Sequence, residues 1–598
     1  MVQLITFPKP TIEQFLRTYL ISNFAVSRDE TKLVYSSNMN GKFNLWALDL
    51  PEKRPYQFAQ HDQACDFLDF DQDNRFLLAG FDQDGDENFH IYALPFEGGL
   101  PQPLVAGDKS DRFFYEKLTK NGEHLYYVTT KDNPSLLNSH RYNIKTGEDE
   151  LIYKGSETAT SLGAVAPEEE SFVTTQFYSN VFSISYVHTK AGKVSLTPDP
   201  TKVHSTRGIV YQNDSSLFFI TDYESEYPYV AHFDIPSQTF TPYLSIENES
   251  VTTIKWHEQT RTLWIITEKG VVDHLYAYDT VNEKLIKVDT PVDIIEQLTI
   301  ADSGTVYILG KSAVLPLNIF CKKIDEQWEA LTANRVLGVA EDRLVDPEIV
   351  SYSSFDDLEI EALLFRAKED VANGYTVFWP HGGPQAAERK SYRALFQCLL
   401  SSGYNIFAPN FRGSSGYGST FIKLVERDWG GGPRLDCVAG IEWLFEQGIS
   451  NREKLFVVGR SYGGYMTLLL AGRHPEYFKA AIDTVGPSNL FSFIESVPEH
   501  WKPLIKLVVG DPIEDKKKLE EDSPIRYLDQ MKNPIFIIQG ANDPRTVKRE
   551  SDQIVEALKA NGVDIEYLVF EDEGHDFAKK ENEIIAYKRM IEFLDKHQ

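Results

Sequence analysis

Lys454-Leu455-Phe456-Val457-Val458-Gly459-Arg460-Ser461-Tyr462-Gly463-Gly464-Tyr465-Met466 is the stretch on which the reading of this chain turns. A short apolar run rich in β-formers meets Gly-x-Ser-x-Gly, and a helical pattern follows as far as Pro475. Glycines on either side of the serine let a strand and a helix approach closely around a strained turn. That turn lifts the Ser461 hydroxyl clear of a sheet, where a base can reach it. Gly-x-Ser-x-Gly alone is a common accident; strand before and helix after make it a nucleophile elbow.

A serine hydroxyl becomes a nucleophile only when a base takes its proton, and the base needs a carboxylate to orient it. After an elbow of this kind the expected chain order is serine, acid, histidine. The apolar run Ile535 to Ile538 is followed by a turn carrying Asp543. The run Tyr567 to Phe570 is followed by Glu573-Gly574-His575, with the histidine 32 residues beyond the aspartate. Asp552, Asp564 and Asp572 are less well placed, the first in a helical pattern and the last too close to the histidine. The oxyanion formed on attack needs two N–H donors. Tyr462, next after the nucleophile, offers one, and the glycine-rich turn Pro380-His381-Gly382-Gly383-Pro384 follows an apolar strand in the right place for the other.

Around these residues the texture is strand alternating with helix. Apolar runs at Thr376 to Trp379, Asn405 to Ala408, Leu455 to Val458, Ala480 to Ile482, Ile535 to Ile538 and Tyr567 to Phe570 are separated by helical patterns such as Asp436 to Phe445, Asp552 to Lys559 and Glu583 to Leu594. Continuous apolar strands between helices predict a mostly parallel sheet covered on both faces, an α/β-hydrolase domain over residues 336–598.

Upstream the pattern is a repeat. Core triplets beginning at Leu33, Phe76, Leu125, Phe172, Leu217, Leu263 and Val306 are spaced by 43, 49, 47, 45, 46 and 43 residues. Partner runs at Asn44 to Leu48, His90 to Leu94, Tyr229 to Phe233 and His274 to Tyr278 keep the same phase. A period of about 40–50 residues with short strands predicts a β-propeller. Seven blades fill residues 24–335, although no Trp-Asp dipeptide marks them. Before them, residues 1–23 are expected to carry an amphipathic helix from Ile12 to Asn23, with Thr11 as its N-cap.

Here the motifs become specific. His381-Gly382-Gly383-Pro384, Asn410-Phe411-Arg412-Gly413-Ser414-Ser415-Gly416-Tyr417-Gly418, Asp428-Trp429-Gly430 and Gly459-Arg460-Ser461-Tyr462-Gly463-Gly464-Tyr465, with Asp543 and Gly574-His575, resemble the prolyl oligopeptidase family of serine peptidases, its acylaminoacyl peptidase branch above all. The resemblance implies a propeller ahead of the hydrolase domain, Gly383 as the second oxyanion donor and an amino-terminal helix packed back on the hydrolase domain. Asp84-Gly85-Asp86-Glu87-Asn88, in the second blade, is similar to that branch's propeller. The family resemblance as a whole implies short N-acylated peptides as substrates and no cofactor or metal. Trp501, Leu504, Ile505 and Val508 recur at i, i+3, i+4 and i+7, one stripe of a helix; periodicity alone makes them core, and the resemblance makes them a pocket for an apolar side chain. The dipeptidyl-peptidase branch holds a free amine on paired propeller glutamates, which Glu224 and Glu226 imitate in sequence. A carboxylesterase on the same triad, or a propeller scaffold with an inert hydrolase domain, are the rivals.

Composition narrows the partners. Lys plus Arg number 60 against 89 Asp plus Glu, a net charge of -29 over 598 residues, which argues against nucleic acid and anionic membranes. Cys65, Cys321, Cys398 and Cys437 form no Cys-x-x-Cys pair and read as buried hydrophobes. Met1 to Thr11 lacks a charged-then-apolar signal pattern, and no apolar run approaches the ~20 residues of a membrane span, so a reducing cytoplasm is expected. Association into a homo-oligomer stays open.

Overall fold

The structure is a computed structural model that describes residues 10–598; residues 1–9 of the amino-terminal segment read above lie outside the described residues. Seven four-stranded antiparallel sheets follow one another in the chain, at residues 21–59, 65–103, 113–154, 160–195, 206–244, 250–288 and 294–330. They are the blades of a seven-bladed propeller. Every repeating triplet falls in the second strand of its blade, from Lys32–Ser37 in the first to Val306–Lys311 in the last. The reason is packing: a second strand has a neighbour on both sides and a blade against each face. Leu33, Leu77, Leu125, Val173, Leu217, Leu263 and Ile308 accordingly have no exposed surface. Burying each is worth about 1.5–3 kcal/mol, so the most buried positions are the ones the repeat keeps apolar.

No strand is shared between the first and last blades. Their seam is closed by side chains. Phe24 N–H donates to Gln297 Oε1 at 3.0 Å, Gln297 Nε2 donates to Phe24 C=O at 2.7 Å, and Ile21, Phe24 and Tyr35 pack against Tyr307, Leu309 and Ile319.

The helix expected over Ile12 to Asn23 is shorter: it spans Ile12–Leu16, and Ile21–Val26 is already the first strand of the first blade. Ile21 pairs with Ser37 and is buried, so sheet completion outcompetes further helical turns. The short helix does pack back on the hydrolase domain. Phe15 sits with Val336, Leu344 and Cys398, and Tyr392 donates to its carbonyl at 3.3 Å.

The carboxyl-terminal domain is built on one eight-stranded sheet: β1 (Glu348–Ser353), β2 (Glu359–Phe365), β3 (Thr376–Phe378), β4 (Asn405–Pro409), β5 (Leu455–Arg460), β6 (Ala481–Thr484), β7 (Ile535–Gly540) and β8 (Ile565–Phe570). Their order across the sheet is β1-β2-β4-β3-β5-β6-β7-β8. The antiparallel β1–β2 hairpin precedes the six apolar runs predicted as strands, and all six are strands, parallel from β4 to β8. This is the α/β-hydrolase arrangement. Its carboxyl ends of strands face the propeller, and the two domains touch beneath most of the blades, Ser179 on Glu426 and Asp222 on Ser419 among them. Beneath the last two blades the contact is mixed, with Val271 and Ala313 buried in a hydrolase-domain cluster and Arg389 paired with Asp273. Beneath the second blade it is polar and abuts the site described next. Among the described residues no helix is long and apolar enough to cross a membrane.

Candidate active site

The sheet brings its chemistry together at the carboxyl ends of β3, β5, β7 and β8, where an open α/β sheet presents its loops. Ser461 is the first residue after β5, and its backbone lies at φ 57°, ψ -122°, a conformation few L-residues adopt. The strain is over-determined by neighbours. Ser461 N–H donates to Thr484 C=O at 2.8 Å, and Tyr465 N–H donates to Ser461 C=O at 2.9 Å. The following helix, Tyr462–Arg473, starts so close to the loop after β3 that a Cβ on Gly463 would stand 2.1 Å from Pro380 C=O.

His575 links the other two predicted residues. Its Nε2 accepts from Ser461 Oγ at 3.0 Å and its Nδ1–H donates to Asp543 Oδ2 at 2.7 Å. The other oxygen of Asp543 accepts from the backbone N–H groups of Arg545 and Thr546, at 2.8 and 2.9 Å. The Asp543 side chain has no exposed surface and that of His575 only 6%. A carboxylate fixed on three donors holds the imidazole in the tautomer that leaves Nε2 free to take a proton. Asp552 and Asp572 stand apart from this chain of bonds, paired with Lys548 and Lys579.

Tyr462 and Gly383 line the same cavity as Ser461, as the oxyanion reading expects. The glycine loop is braced from behind by His381, whose Nδ1–H donates to Gly382 C=O at 2.8 Å and whose Nε2 lies 2.8 Å from Ser414 Oγ. Its ring stacks on Phe411 with centroids 4.1 Å apart. Burial pushes its pKa down to about 4, so the ring stays neutral and keeps this bonding pattern.

Two groups that sequence reasoning passed over also hold the site. Arg460, inside the elbow motif, donates to His575 C=O and pairs with Asp576, whose pKa it draws down to about 2. From the propeller, the second-blade loop reaches the acid and histidine loops. Asn542 Nδ2 donates to Asp84 C=O at 3.2 Å, Lys579 pairs with Asp84 at 3.3 Å, and Arg545 pairs with Glu87 at 2.9 Å. Gly85 and Gly574 meet backbone to backbone: a Cβ on Gly574 would lie 2.1 Å from Gly85 C=O. The motif Asp84 to Asn88 was visible in sequence; its contact partner was not.

Beside Ser461 lies a cavity of about 550 Å³. Trp501, Leu504, Ile505 and Val508 all line it, together with Trp429, Tyr462 and Phe493. The stripe is broken in form, since Trp501 ends a 3₁₀ turn and Lys502–Val508 is the helix proper, yet it keeps one face. From the propeller, Phe114, Leu137, Ala159 and Phe177 close the cavity opposite. The basic side chains on its wall are Arg545 and His500, and no side chain there is a carboxylate. Glu224 and Glu226 are elsewhere and engaged. Glu224 pairs with Lys202, and Glu226 accepts from Thr420 N–H at 2.9 Å and Thr420 Oγ1 at 2.6 Å.

Residues 390–598 match the model of the prolyl oligopeptidase family, and this part of the chain is a domain of that family. Over 207 residues the chain is 41% identical to dipeptidyl aminopeptidase BIII of Pseudoxanthomonas mexicana, covering 34% of this chain and 30% of that protein. Over 248 residues it is 27% identical to an acylamino-acid-releasing enzyme of Arabidopsis thaliana, covering 40% of this chain and 32% of the other. The chain thus spans about a third of the length of the curated relatives it matches. In fold it is similar to a puromycin-hydrolyzing peptidase of Mycobacterium tuberculosis, with a TM-score of 0.85 at 18% identity over 99% of this chain and 97% of that one.

Proposed function

We propose that this protein is a serine peptidase that cleaves short peptides and releases an amino acid whose amino group is acylated, with an apolar side chain beside the cleaved bond. One observation carries the acyl preference: the wall of the cavity at Ser461 contains no carboxylate. A free ammonium drawn into a dry pocket needs a paired counter-charge. There it meets only Arg545 and a histidine, His500, that burial pushes down to about 4 and keeps neutral. An acyl group carries no charge and needs only apolar walls.

In this reading Ser461 Oγ attacks the carbonyl carbon as its proton passes to His575 Nε2. Asp543 stabilises the imidazolium that results, and the N–H groups of Tyr462 and Gly383 receive the oxyanion. His575 then returns its proton to the leaving amine, and water repeats the sequence on the acyl-enzyme. The propeller walls standing across the cavity suit short or extended chains and exclude folded ones.

The identity to a dipeptidyl aminopeptidase favours a second reading, in which a free amino end is required. A paired chromogenic assay at pH 8 separates the two, with N-acetyl-Phe, free Phe and a free-amine dipeptide on one leaving group. The acetylated substrate should be hydrolysed at least about tenfold faster, as kcat/KM, and Ser461→Ala should lower its rate on the order of 10⁴–10⁶-fold with the fold intact. A free-amine dipeptide that outruns both overturns the acyl reading. A matched ester turned over with no measurable amide cleavage makes the protein an esterase instead.

A further inference from the structure

One polar side chain in the cavity at Ser461 has no task in the chemistry proposed above. Most of the other polar groups on the wall are occupied. Tyr462 OH donates to Trp429 C=O, Asn180 Nδ2 donates to Gln385 Oε1 at 2.8 Å, Ser161 Oγ donates to Leu162 C=O at 3.3 Å, and Arg545 pairs with Glu87. Trp429 Nε1 is unpartnered but has almost no surface. His500 is different. It is half-buried on the wall, and among the described residues no group bonds to either of its ring nitrogens. Its neighbours are aromatic edges: Phe114 of the third blade, with centroids 6.1 Å apart, and Trp501 at 6.3 Å, whose own indole N–H is also unbonded. These contacts and the 3₁₀ turn Glu499–Trp501, entered through Pro498, hold the imidazole in place. Burial, aided by the nearby charge of Arg112, keeps it neutral, with one N–H and one lone pair.

A neutral imidazole on an otherwise apolar wall sets a condition on what can cover it. Water satisfies it while the cavity is open. An all-carbon side chain that displaces the water leaves both nitrogens unpaired, whereas a side chain ending in a hydroxyl replaces the lost bond. We infer that His500 is a specificity-determining residue that hydrogen-bonds the hydroxyl at the tip of an aromatic side chain, so that acylated tyrosine is preferred to acylated phenylalanine. Only the acyl part of this rests on the proposed function, and the side chain beside the cleaved bond becomes a phenol in place of a plain apolar group. Trp429, Phe493, Ile505 and Val508 hold the ring, and His500, at the amino-terminal end of the stripe, reads what the ring carries. A site of this kind discriminates better than packing alone, because the wrong substrate leaves a polar group of the protein unpaired. For a half-buried imidazole the preference is about tenfold or more.

The test is kcat/KM for the p-nitroanilides of N-acetyl-Tyr, N-acetyl-Phe and N-acetyl-4-chloro-Phe. In the unaltered protein Tyr should exceed Phe at least about tenfold. The chloro compound, which has the bulk of the hydroxyl without its hydrogen bond, should stay level with Phe. His500→Leu should move the two natural side chains in opposite directions, lowering Tyr and raising Phe until they differ by less than about twofold. A mere loss of packing would lower both together. His500→Gln, which again offers a donor and an acceptor, should keep Tyr ahead, and melting curves show which variants are folded. Equal rates for Tyr and Phe in the unaltered protein overturn the inference, as does a chloro substrate that matches Tyr or a Tyr preference that survives in folded His500→Leu. If only free-amine peptides are cleaved, the acyl reading has failed, and the same ratio on Ala-Tyr and Ala-Phe p-nitroanilides still decides the role of His500.

Discussion

Gly574→Ala probes how far the propeller takes part in placing the base. Gly574 does not need a left-handed backbone, so an alanine there brings no conformational strain of its own. Its methyl group, however, would lie 2.1 Å from Gly85 C=O, where ordinary contact begins near 3.4 Å. Something has to move by about 1.3 Å, and overpacking of this kind costs about 1–3 kcal/mol. The second-blade loop cannot simply withdraw, because Asn542, Lys579 and Arg545 tie it to the same loops. Much of the displacement therefore falls on the neighbouring residue, His575. A shift of about 1 Å in a catalytic group lowers kcat on the order of 10²-fold. Since no cavity-lining residue is touched, KM should change little. Steady-state kinetics on the acetyl-Phe substrate, with a melting curve on the same sample, measure both. A variant with kcat within twofold of the original, or one whose whole loss is in KM, would show that the blade contact does not position the histidine.

Two further expectations follow from buried groups. Ile505→Asp puts a carboxylate into the apolar half of the cavity and should raise KM for Phe and Leu substrates at least tenfold more than for a Lys substrate; equal losses on all three would make the stripe mere core. Burial, aided by Asp86 nearby, raises the Asp82 carboxyl to about 7, well above the ~4 of an unfolded chain. The folded protein then holds the extra proton between those values, so the contribution of Asp82 is full below pH ~4 and is lost as pH rises through about 7. Asp82→Asn should therefore raise the melting temperature at pH 8 by about 2–4 °C and leave it nearly unchanged at pH 4.5; an equal shift at both would refute this.

The parts of this architecture legible in sequence are those where a local pattern coincides with a structural constraint. The triplets at Leu33 to Val306 repeat because each blade must bury the same strand on both faces. Ser461, Asp543 and His575 could be placed because each follows an apolar run, and runs of that kind end at one edge of a parallel sheet. What escaped was set by distance in the chain. Nothing near Phe114 or Phe177 signals that they face Ser461, nor does Gly85 signal that it will meet Gly574, because those contacts exist only once two domains have docked. The overlong helix from Ile12 has a different origin. Phe15, Leu16, Tyr19 and Leu20 satisfy a helical period, but Ile21 onward was claimed by a strand whose partner the helical pattern cannot reveal. Arg460 was passed over because its place in the elbow motif explains nothing about what its guanidinium reaches.

The seam between the first and last blades carries a mechanical consequence. A ring made of seven consecutive sheets is topologically a row whose ends merely touch. In this protein the neighbouring domain adds a latch to the side-chain contacts that join them. Both chain segments that leave the ring depart at that seam, and they are stitched to each other there. Tyr19 N–H donates to Asn334 Oδ1 at 3.1 Å, and Asn334 Nδ2 donates back to Tyr19 C=O at 2.7 Å. Phe15 on one segment and Val336 and Leu344 on the other then share a single apolar anchorage on the hydrolase domain. The hydrolase domain thus serves as a clasp that backs the direct contacts between the two blades. A new pair of termini cut into any other gap between blades would leave all seven sheets whole and this clasp intact, so the ring should tolerate being opened everywhere except where nature left it open.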